Sequence, residues 1–493
     1  SFQKDQSFSN KGKAMNGPND KIHYVGAGWG GANGLNNTGT AADPFYVSAF
    51  EYSSGFSEER MNSYFGRLTY NYKEKYLFEA TLRRDGSSVF GEDVRWATFP
   101  SIAVGWTFSD EKFMKPFYWL SFGKIRASWG VSGQKFSQRY LSQGLLSANG
   151  TTFHGDIAMF PDIRGGVINK KLSWEETNQY DLGFDLSFLD YRLRLVIDYY
   201  YRYTKGQLNQ ISLPGDIYYH QFQWQNGMAI SNQGLELELE ADILRHTAVK
   251  WKMKFNASRN WNRFEKSADG FDFMEQVIGK PLHQIKVFKT DGFYNSLDEV
   301  PVYYLANKEV QPLYSGITAG IYLPGSRRLV DLNGDGRITE DADVYFAESP
   351  LPLAHGGFIN QLRWKNFDLN IFFNYSLGRH IVKVYDDVSM TANGSEKPLF
   401  VDVNDVKIWT EAGSKADYPK SQVYAYLMNQ TSGRYDCDIE SVSFLRLKQL
   451  TLGYNVGERV LNKLKISGAR IFVTGENLFL LTNYSGLDPE LVN

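Results

Sequence analysis

The feature that most limits what this chain can fold into is a two-residue alternation of apolar and polar side chains that runs through whole hairpins. Leu182, Phe184, Leu186 and Phe188 alternate with Asp181, Gly183, Asp185 and Ser187. Beyond a turn at Leu189-Asp190, Tyr191, Leu193, Leu195, Ile197, Tyr199, Tyr201 and Tyr203 alternate with Arg192, Arg194, Asp198 and Arg202. Side chains on a strand point to opposite faces in turn, so one face of this hairpin is oily and aromatic and the other is charged. Each arm reaches about ten residues, the length a tilted strand needs to cross a bilayer. Strands of soluble sandwiches are nearer five or six residues. The pattern therefore predicts an all-β fold, a transmembrane antiparallel β-barrel.

Hydropathy alone hides this, because every second residue of such a strand faces the lumen. Mean hydropathy is −0.40, and no run of about eighteen apolar residues offers a transmembrane helix. Aromatic residues make up 15% of the 493 residues, the surplus that aromatic girdles at the two membrane interfaces require. The 53 basic and 55 acidic side chains leave a net charge of −2, which gives no reason to expect nucleic acid as a partner. Cys437 is the sole cysteine, so an internal disulfide and a cysteine metal cluster are excluded. Ser1 to Asp20 lacks the apolar segment of a signal peptide, as expected of a mature chain or a fragment.

Further hairpins are marked by their turns. Leu68, Tyr70 and Tyr72 lead into Lys73-Glu74-Lys75, and Tyr76, Phe78, Ala80 and Leu82 lead out. Leu235, Leu237, Leu239 and Ala241 alternate with Glu236, Glu238, Glu240 and Asp242; the partner strand sets Trp251, Met253, Phe255 and Ala257 against Lys250, Lys252, Lys254 and Asn256. Phe358, Leu362 and Trp364 turn at Lys365-Asn366 into Phe367, Leu369, Ile371, Phe373 and Tyr375. Strands are also expected near Trp96 to Phe108, Gly123 to Ser132, Leu445 to Val456 and Ala469 to Leu481, with a parity switch near Gln449 that predicts a bulge. The total is roughly twelve or thirteen strands. Leu193, Leu195, Leu235, Leu237, Phe255 and Leu369 should face outward, and Arg192, Glu238 and Lys252 inward.

Connections alternate short with long. Short ones fall near 73–75, 109–122, 189–190, 244–249, 365–366 and 457–467, and long ones near 133–173, 209–230, 264–354 and 380–440. Outer-membrane barrels keep short turns in the periplasm and long loops outside, which assigns sidedness. On that assignment the last strand runs outward and the chain stops outside, as though about one closing strand were missing.

At this point the residues resemble a family. "YFGRLTYNYKEKYLFEATLRRDGSSVFG" (Tyr64 to Gly91), "FPSIAVGWTFSDEKFM" (Phe99 to Met114) and "KIRASWGVSGQ" (Lys124 to Gln134) resemble the barrel of SusC/RagA-type TonB-dependent transporters. So do "SWEETNQYDLGFDLSFLDYRLRLVIDYYYRYTKGQL" (Ser173 to Leu208), "DLNGDGRIT" (Asp331 to Thr339), "FLRLKQLTLGYNV" (Phe444 to Val456) and "TGENLFLLTNYSGLDPE" (Thr474 to Glu490). The resemblance covers residues 61–493, a partial barrel domain; residues 1–60 carry little of it and are expected to be loop plus one barrel strand. It implies a barrel of 22 strands in the outer membrane of a Gram-negative, Bacteroidota-like bacterium, with an N-terminal plug, neither plug nor TonB box being found in this stretch. It also implies active import of oligosaccharides or peptides, a SusD-like surface lipoprotein as partner, and TonB–ExbB–ExbD as the energy source. A passive large porin or surface-adhesin barrel is the alternative, with a soluble all-β carbohydrate-binding or hydrolase protein third.

Few residues point to chemistry. "DLNGDGRITEDAD" resembles the start of an EF-hand-type calcium loop, with Asp331, Asn333 and Asp335 at alternate positions, Gly336 for the sharp turn and the Arg337 carbonyl next. Ala342 stands where the bidentate carboxylate belongs, flanked by Asp341 and Asp343. A structural Ca²⁺ and a metal-free Asx/Gly turn are both open. Glu236, Glu238 and Glu240 are expected to pair with Lys250, Lys252 and Lys254 as a lumenal ladder. Tyr218, Tyr219, Phe222 and Trp224 are candidates for stacking on sugar rings, and Tyr303, Tyr304, Tyr314, Tyr424 and Tyr426 for a docking rim. Seven histidines are scattered, with no HExxH and no Ser/His pair, and "GAGWGGANG" lacks a P-loop lysine. No enzyme is predicted.

Overall fold

The computed structural model describes residues 2–14, 50–137, 139–142, 146–153, 156–161, 166–214, 222–273, 276–304, 310–312, 314–315, 320–382, 407–417, 419, 435–486 and 488–491. Thirteen strands form one antiparallel sheet in chain order, each beside its sequence neighbour. They are β1 (Phe2–Ala14), β2 (Phe50–Tyr72), β3 (Tyr76–Ser87), β4 (Trp96–Thr107), β5 (Leu120–Gln134), β6 (Glu175–Phe188) and β7 (Leu193–Ser212). There follow β8 (Phe222–Leu244), β9 (Val249–Lys266), β10 (Ala354–Trp364), β11 (Phe367–Leu377), β12 (Phe444–Asn455) and β13 (Arg470–Thr482). Among the described residues the sheet is open, with β1 and β13 as its edges. The strand expected within residues 1–60 is β1, paired along its whole length with β2.

Register keeps like with like. One row crosses eight strands as Leu186, Leu195, Leu239, Phe255, Phe358, Phe373, Leu447 and Phe479, each directly opposite the next. Each such apolar pair contributes about 0.2–1 kcal/mol over an alanine pair. The six residues expected to face outward all lie on this apolar face, and Glu238 and Lys252 lie on the opposite one. The apolar face has no second layer over it: Leu68 is 63% exposed, Leu82 57% and Leu452 51%. A one-residue slip would exchange the two faces, so the register is strongly specified.

Aromatic rings collect at both ends of the wall. At the short-turn end Tyr72 stacks with Tyr76, Trp119 with Phe188, and Trp364 with Phe367. At the other end Tyr64 stacks with Trp96, and Tyr180 lies beside Tyr201. Tyr64 and Tyr72, Tyr180 and Phe188, and Phe367 and Tyr375 are each separated by eight residues, or roughly 27 Å of strand. That matches the apolar band of about 25 Å in transmembrane barrels. The expected bulge is present: Phe372 pairs with Gln449 but Phe373 with Leu447, leaving Lys448 unpaired in the ladder.

Turns and loops segregate by end. Connections 73–75, 108–119, 189–192, 245–248, 365–366 and 456–469 are at one end; 135–174, 267–353 and 378–443 are at the other. The loop expected at 209–230 shrinks to 213–221, because β7 and β8 continue beyond the band. No helix among the described residues is long and apolar enough to cross a membrane.

The long-loop end has its own cores. Val89, Phe90, Phe99, Phe136, Leu141, Leu172 and Trp174 form one, with Phe90 fully buried and its ring 4.5 Å from that of Trp174. Phe288, Tyr294, Val300, Tyr322, Leu329, Ile338 and Tyr435 form a second, which joins the loop 267–353 to the loop 378–443. Thr290 donates from its amide to Asp436 Oδ1 at 3.0 Å across the same junction.

Candidate functional site

Among the described residues, the polar face of the wall carries connected networks of charged and polar side chains. Arg126 on β5 forks between two acids, donating from Nε and Nη2 to Asp185 at 2.8 and 2.9 Å and from Nη2 to Asp198 at 2.9 Å. Asp185 lies on β6 and Asp198 on β7, so one guanidinium ties three strands. Gly183 makes room: a Cβ there would come within 2.3 Å of Asp198 Oδ1 and 2.7 Å of the guanidinium. Ser128 donates to Asp181 at 2.9 Å, and Tyr200 donates to Asn260 at 2.9 Å. These groups are partly solvated, so each ion pair contributes at most about 1 kcal/mol. Their effect is to order a hydrophilic surface rather than to carry stability.

The expected glutamate–lysine ladder is corrected by the register. Glu236 opposes Ser258, Glu238 opposes Asn256, and Glu240 alone meets lysines, with Lys254 at 2.9 Å and Lys252 in contact. The turn offsets the two strands by four residues from the antiparallel alignment that would face the three glutamates with the three lysines. Arg192 is corrected too. It sits in the turn before β7 and donates to the carbonyls of Asp242 and Ile243 at 2.9 and 2.6 Å, clamping the neighbouring turn.

Near the end of the chain, the segment after β13 folds back onto the polar face. Arg446 donates to Asp488 at 2.5 Å, Lys448 to Glu490 at 3.0 Å, and Asn374 to Glu490 at 3.0 Å. The bulge at Lys448 thus has a partner, and Pro489 between the two acids is fully buried. No catalytic pattern in the sequence marks these pairs; strand parity, which puts Arg446 and Asn374 on one face, is the signal the sequence carries.

The candidate calcium residues are arranged as nested turns. Asp331 accepts from the Gly334 and Gly336 amides at 2.6 and 2.8 Å, and Asn333 accepts from the Asp335 amide at 3.0 Å. Asp335 accepts from the Arg337 amide at 2.8 Å and from Asn333 Nδ2 at 3.0 Å, which hold its carboxyl below the usual range. Asp343 is fully buried and accepts from the Leu332 and Thr339 amides at 2.9 and 2.7 Å, closing the loop behind Ile338. Asp341 is exposed. Among the described residues, no group of three or more His, Cys, Asp and Glu side chains is placed to hold a metal.

Of the candidate ring stackers, Phe222 and Trp224 belong to strand β8, and Trp224 packs against the first loop core; Tyr218 and Tyr219 lie outside the described residues. Tyr424 and Tyr426 of the expected docking rim also lie outside them. Within the second loop core Arg327 spans the rings of Phe293 and Tyr435, 5.5 and 5.3 Å from their centroids, and meets Asp438 at 3.5 Å. Burial there pushes the Tyr294 hydroxyl up to about 12.

Comparison with known proteins agrees with this geometry. Residues 1–394 match the family model described as TonB dependent receptor-like, beta-barrel. TonB-dependent receptor P3 of Formosa agariphila is 32% identical over 443 residues, covering 89% of this chain and 43% of that protein. TonB-dependent receptor SusC of Bacteroides thetaiotaomicron is 29% identical over 458 residues, covering 91% and 43%. Among solved structures, the RagAB peptide transporter superimposes with a TM-score of 0.68 at 24% identity, over 96% of this chain and 48% of that one. The chain thus spans less than half the length of these relatives.

Proposed function

The chain belongs to the TonB-dependent receptor β-barrel family, in its SusC/RagA branch, and on that premise we propose that it builds the wall and outer loops of an outer-membrane importer for oligosaccharides or peptides. The observation that carries this reading is the two-faced sheet. Its uncovered apolar face suits lipid, its charged face suits a hydrophilic passage, and its long loops stand together at one mouth. Energy would come from TonB–ExbB–ExbD acting on the rest of the protein. The joined loops 267–353 and 378–443 would seat a SusD-like lipoprotein, since loops with their own core present a defined surface. Peptides enter this reading through the printed name of one structural relative, the RagAB peptide transporter, and oligosaccharides through the sequence resemblance alone.

Uptake of labelled oligosaccharides and peptides by cells expressing the full-length protein tests this. Import is expected to stop when the proton gradient is collapsed, and a lipoprotein should co-purify in near-equal amount. Uptake that survives collapse of the gradient would replace active import with a passive pore. The 331–343 loop is read as a structural calcium site on its sequence pattern alone, with Asp331, Asn333, Asp335, the Arg337 carbonyl and Asp341 or Asp343 as donors. Calcium should then raise the thermal midpoint of the full-length protein, and Asp331→Asn should abolish the rise. An unchanged midpoint leaves the hydrogen-bonded turn as the whole explanation.

A further inference from the structure

Parity puts most charges of the wall on the lumenal face, and two arginines at the long-loop end break that rule. Arg84 on β3 continues the lipid-facing set Tyr76, Phe78, Ala80 and Leu82, directly opposite Tyr64. Arg259 on β9 continues the set Trp251, Met253, Phe255 and Ala257, directly opposite Leu235. Both are exposed. Other cations on this face have acids: Lys205 meets Glu176 at 2.9 Å, and Arg60 meets Glu58 at 2.6 Å. Among the described residues Arg84 and Arg259 meet rings instead, with no acid within ion-pair distance.

Each guanidinium rests on a tryptophan. Arg84 lies 5.6 Å from the centre of the Trp96 ring, and Arg259 4.6 Å from that of Trp261. The Trp96 ring stacks with Tyr64 at 6.1 Å and lies across Gly86, where a Cβ would come within 2.6 Å of it. Trp261 stands opposite Gln233, whose Oε1 accepts from the Tyr199 hydroxyl at 2.8 Å, leaving the amide NH2 as a donor on the same face. Trp261 is two residues beyond Arg259, about 7 Å of strand, so the long side chain climbs to the depth of the aromatic row. A lipid-facing arginine is costly at mid-bilayer and nearly neutral at the interface. Stacking occupies the flat face of the guanidinium and leaves its N–H edges available. At the short-turn end the ring partners are lysines, Lys73 on Tyr72 and Lys365 on Trp364, at 5.0 and 5.1 Å.

We propose that Arg84 with Trp96, and Arg259 with Trp261, are two clamps for the phosphate of lipid headgroups in the leaflet on the long-loop side. Each guanidinium presents paired N–H groups to two oxygens of a phosphate monoester, a geometry that the point charge of a lysine does not offer. The tryptophan fixes the fork at headgroup depth, and Gln233 adds a donor at the second clamp. The pairs stand six strands apart in the sheet, roughly 29 Å, so they act separately. The inference goes beyond transport. It needs only that the apolar face stands in a bilayer, which holds for an importer and a passive pore alike.

The test titrates the full-length protein in detergent with phosphatidic acid, with phosphatidylcholine as the control lipid, and counts bound lipids by native mass spectrometry. Two phosphatidic acids should be retained, more weakly as salt rises, and phosphatidylcholine should not. Arg84→Gln and Arg259→Gln should each weaken one of the two sites about tenfold, the loss of a charge-assisted contact, and the double variant should weaken both. Gly86→Ala, which displaces Trp96, should weaken the Arg84 site alone. Arg202→Gln is the control: Arg202 stacks on Tyr200 at 4.8 Å in the same way but on the lumenal face, and its loss should change neither site. Phosphatidic acid retained by the double variant as by the wild type, or lost equally in Arg202→Gln, overturns the clamps. Inorganic phosphate competing with equal affinity assigns the arginines to a bare anion and overturns the lipid. A lipoprotein that co-purifies with the wild type and is lost from the double variant, with lipid binding intact, assigns them to protein docking and overturns it too. If lipid binding follows the expected pattern but uptake is insensitive to the proton gradient, the import reading fails and the clamps stand.

Discussion

The wall and the long-loop end treat the same residue types in opposite ways. On the wall, Leu68, Leu82 and Leu452 are more than half exposed. In the loops, Phe90, Ile338 and Val287 are completely buried. Both arrangements are stable only if the surroundings differ. An apolar sheet face this broad would aggregate in water, whereas the loop cores are closed as in any water-facing domain. The difference shows that one chain is fitted to two solvents, with the aromatic rows marking the boundary between them.

Four experiments probe that contrast. The largest effect should come from the loop core. Phe90→Ala removes a ring packed against Trp174 and Phe136 and should cost about 3–5 kcal/mol. Chemical unfolding in detergent measures it, and a cost no greater than a surface change would mean that the loop end has no working core. Next is a pair of neighbours on one strand. Leu237→Arg should cost about 2–4 kcal/mol in lipid vesicles, as for a cation at mid-bilayer. Glu238→Arg, one residue along and facing the lumen, should stay within about 0.5 kcal/mol. Equal costs would break the assignment of the two faces.

A smaller effect is expected on the polar wall. Gly183→Ala forces a Cβ against Asp198 and Arg126 and should cost about 1–3 kcal/mol through overpacking. The combined Gly183→Ala, Asp198→Ala variant should recover part of the loss; no recovery would mean that the fork is not what the glycine accommodates. The smallest is a pH effect outside the membrane. Asp335 is held below its ordinary value, first by Asn333 and then by the Arg337 amide. A depressed folded-state value means that its contribution is present above the ordinary aspartate range, near 3.9, and is lost as pH falls through the folded value. The protection of the Arg337 amide, measured against an unstructured amide at the same pH, should therefore fall below about pH 4, and Asp335→Asn should flatten that dependence.

Much of the wall could be read from residues alone. The alternation from Leu182 to Tyr203 set strand existence, face and hairpin partner, because a period of two has only one outcome when one face is apolar. The bulge was legible for the same reason, as a break in parity one residue from Lys448. The site was much less legible. The ladder expected of Glu236, Glu238 and Glu240 with Lys250, Lys252 and Lys254 reduced to Glu240 alone, since strand pairing depends on how many residues the turn consumes. Arg126 and Asp198 lie 72 positions apart and meet only because two hairpins are adjacent.

Composition and periodicity were therefore enough for the class of fold, the lipid-facing residues and the end at which the long loops gather. Each depends on local rules that act over a few residues. Which acid meets which base, how the loops 267–353 and 378–443 join through Tyr435, and how Arg84 is brought onto Trp96 depended on the tertiary structure. The physical reason is one of range. A strand's two faces follow from alternation along the chain, but contacts between strands follow from register, and register is the sum of every turn, bulge and pairing across the sheet.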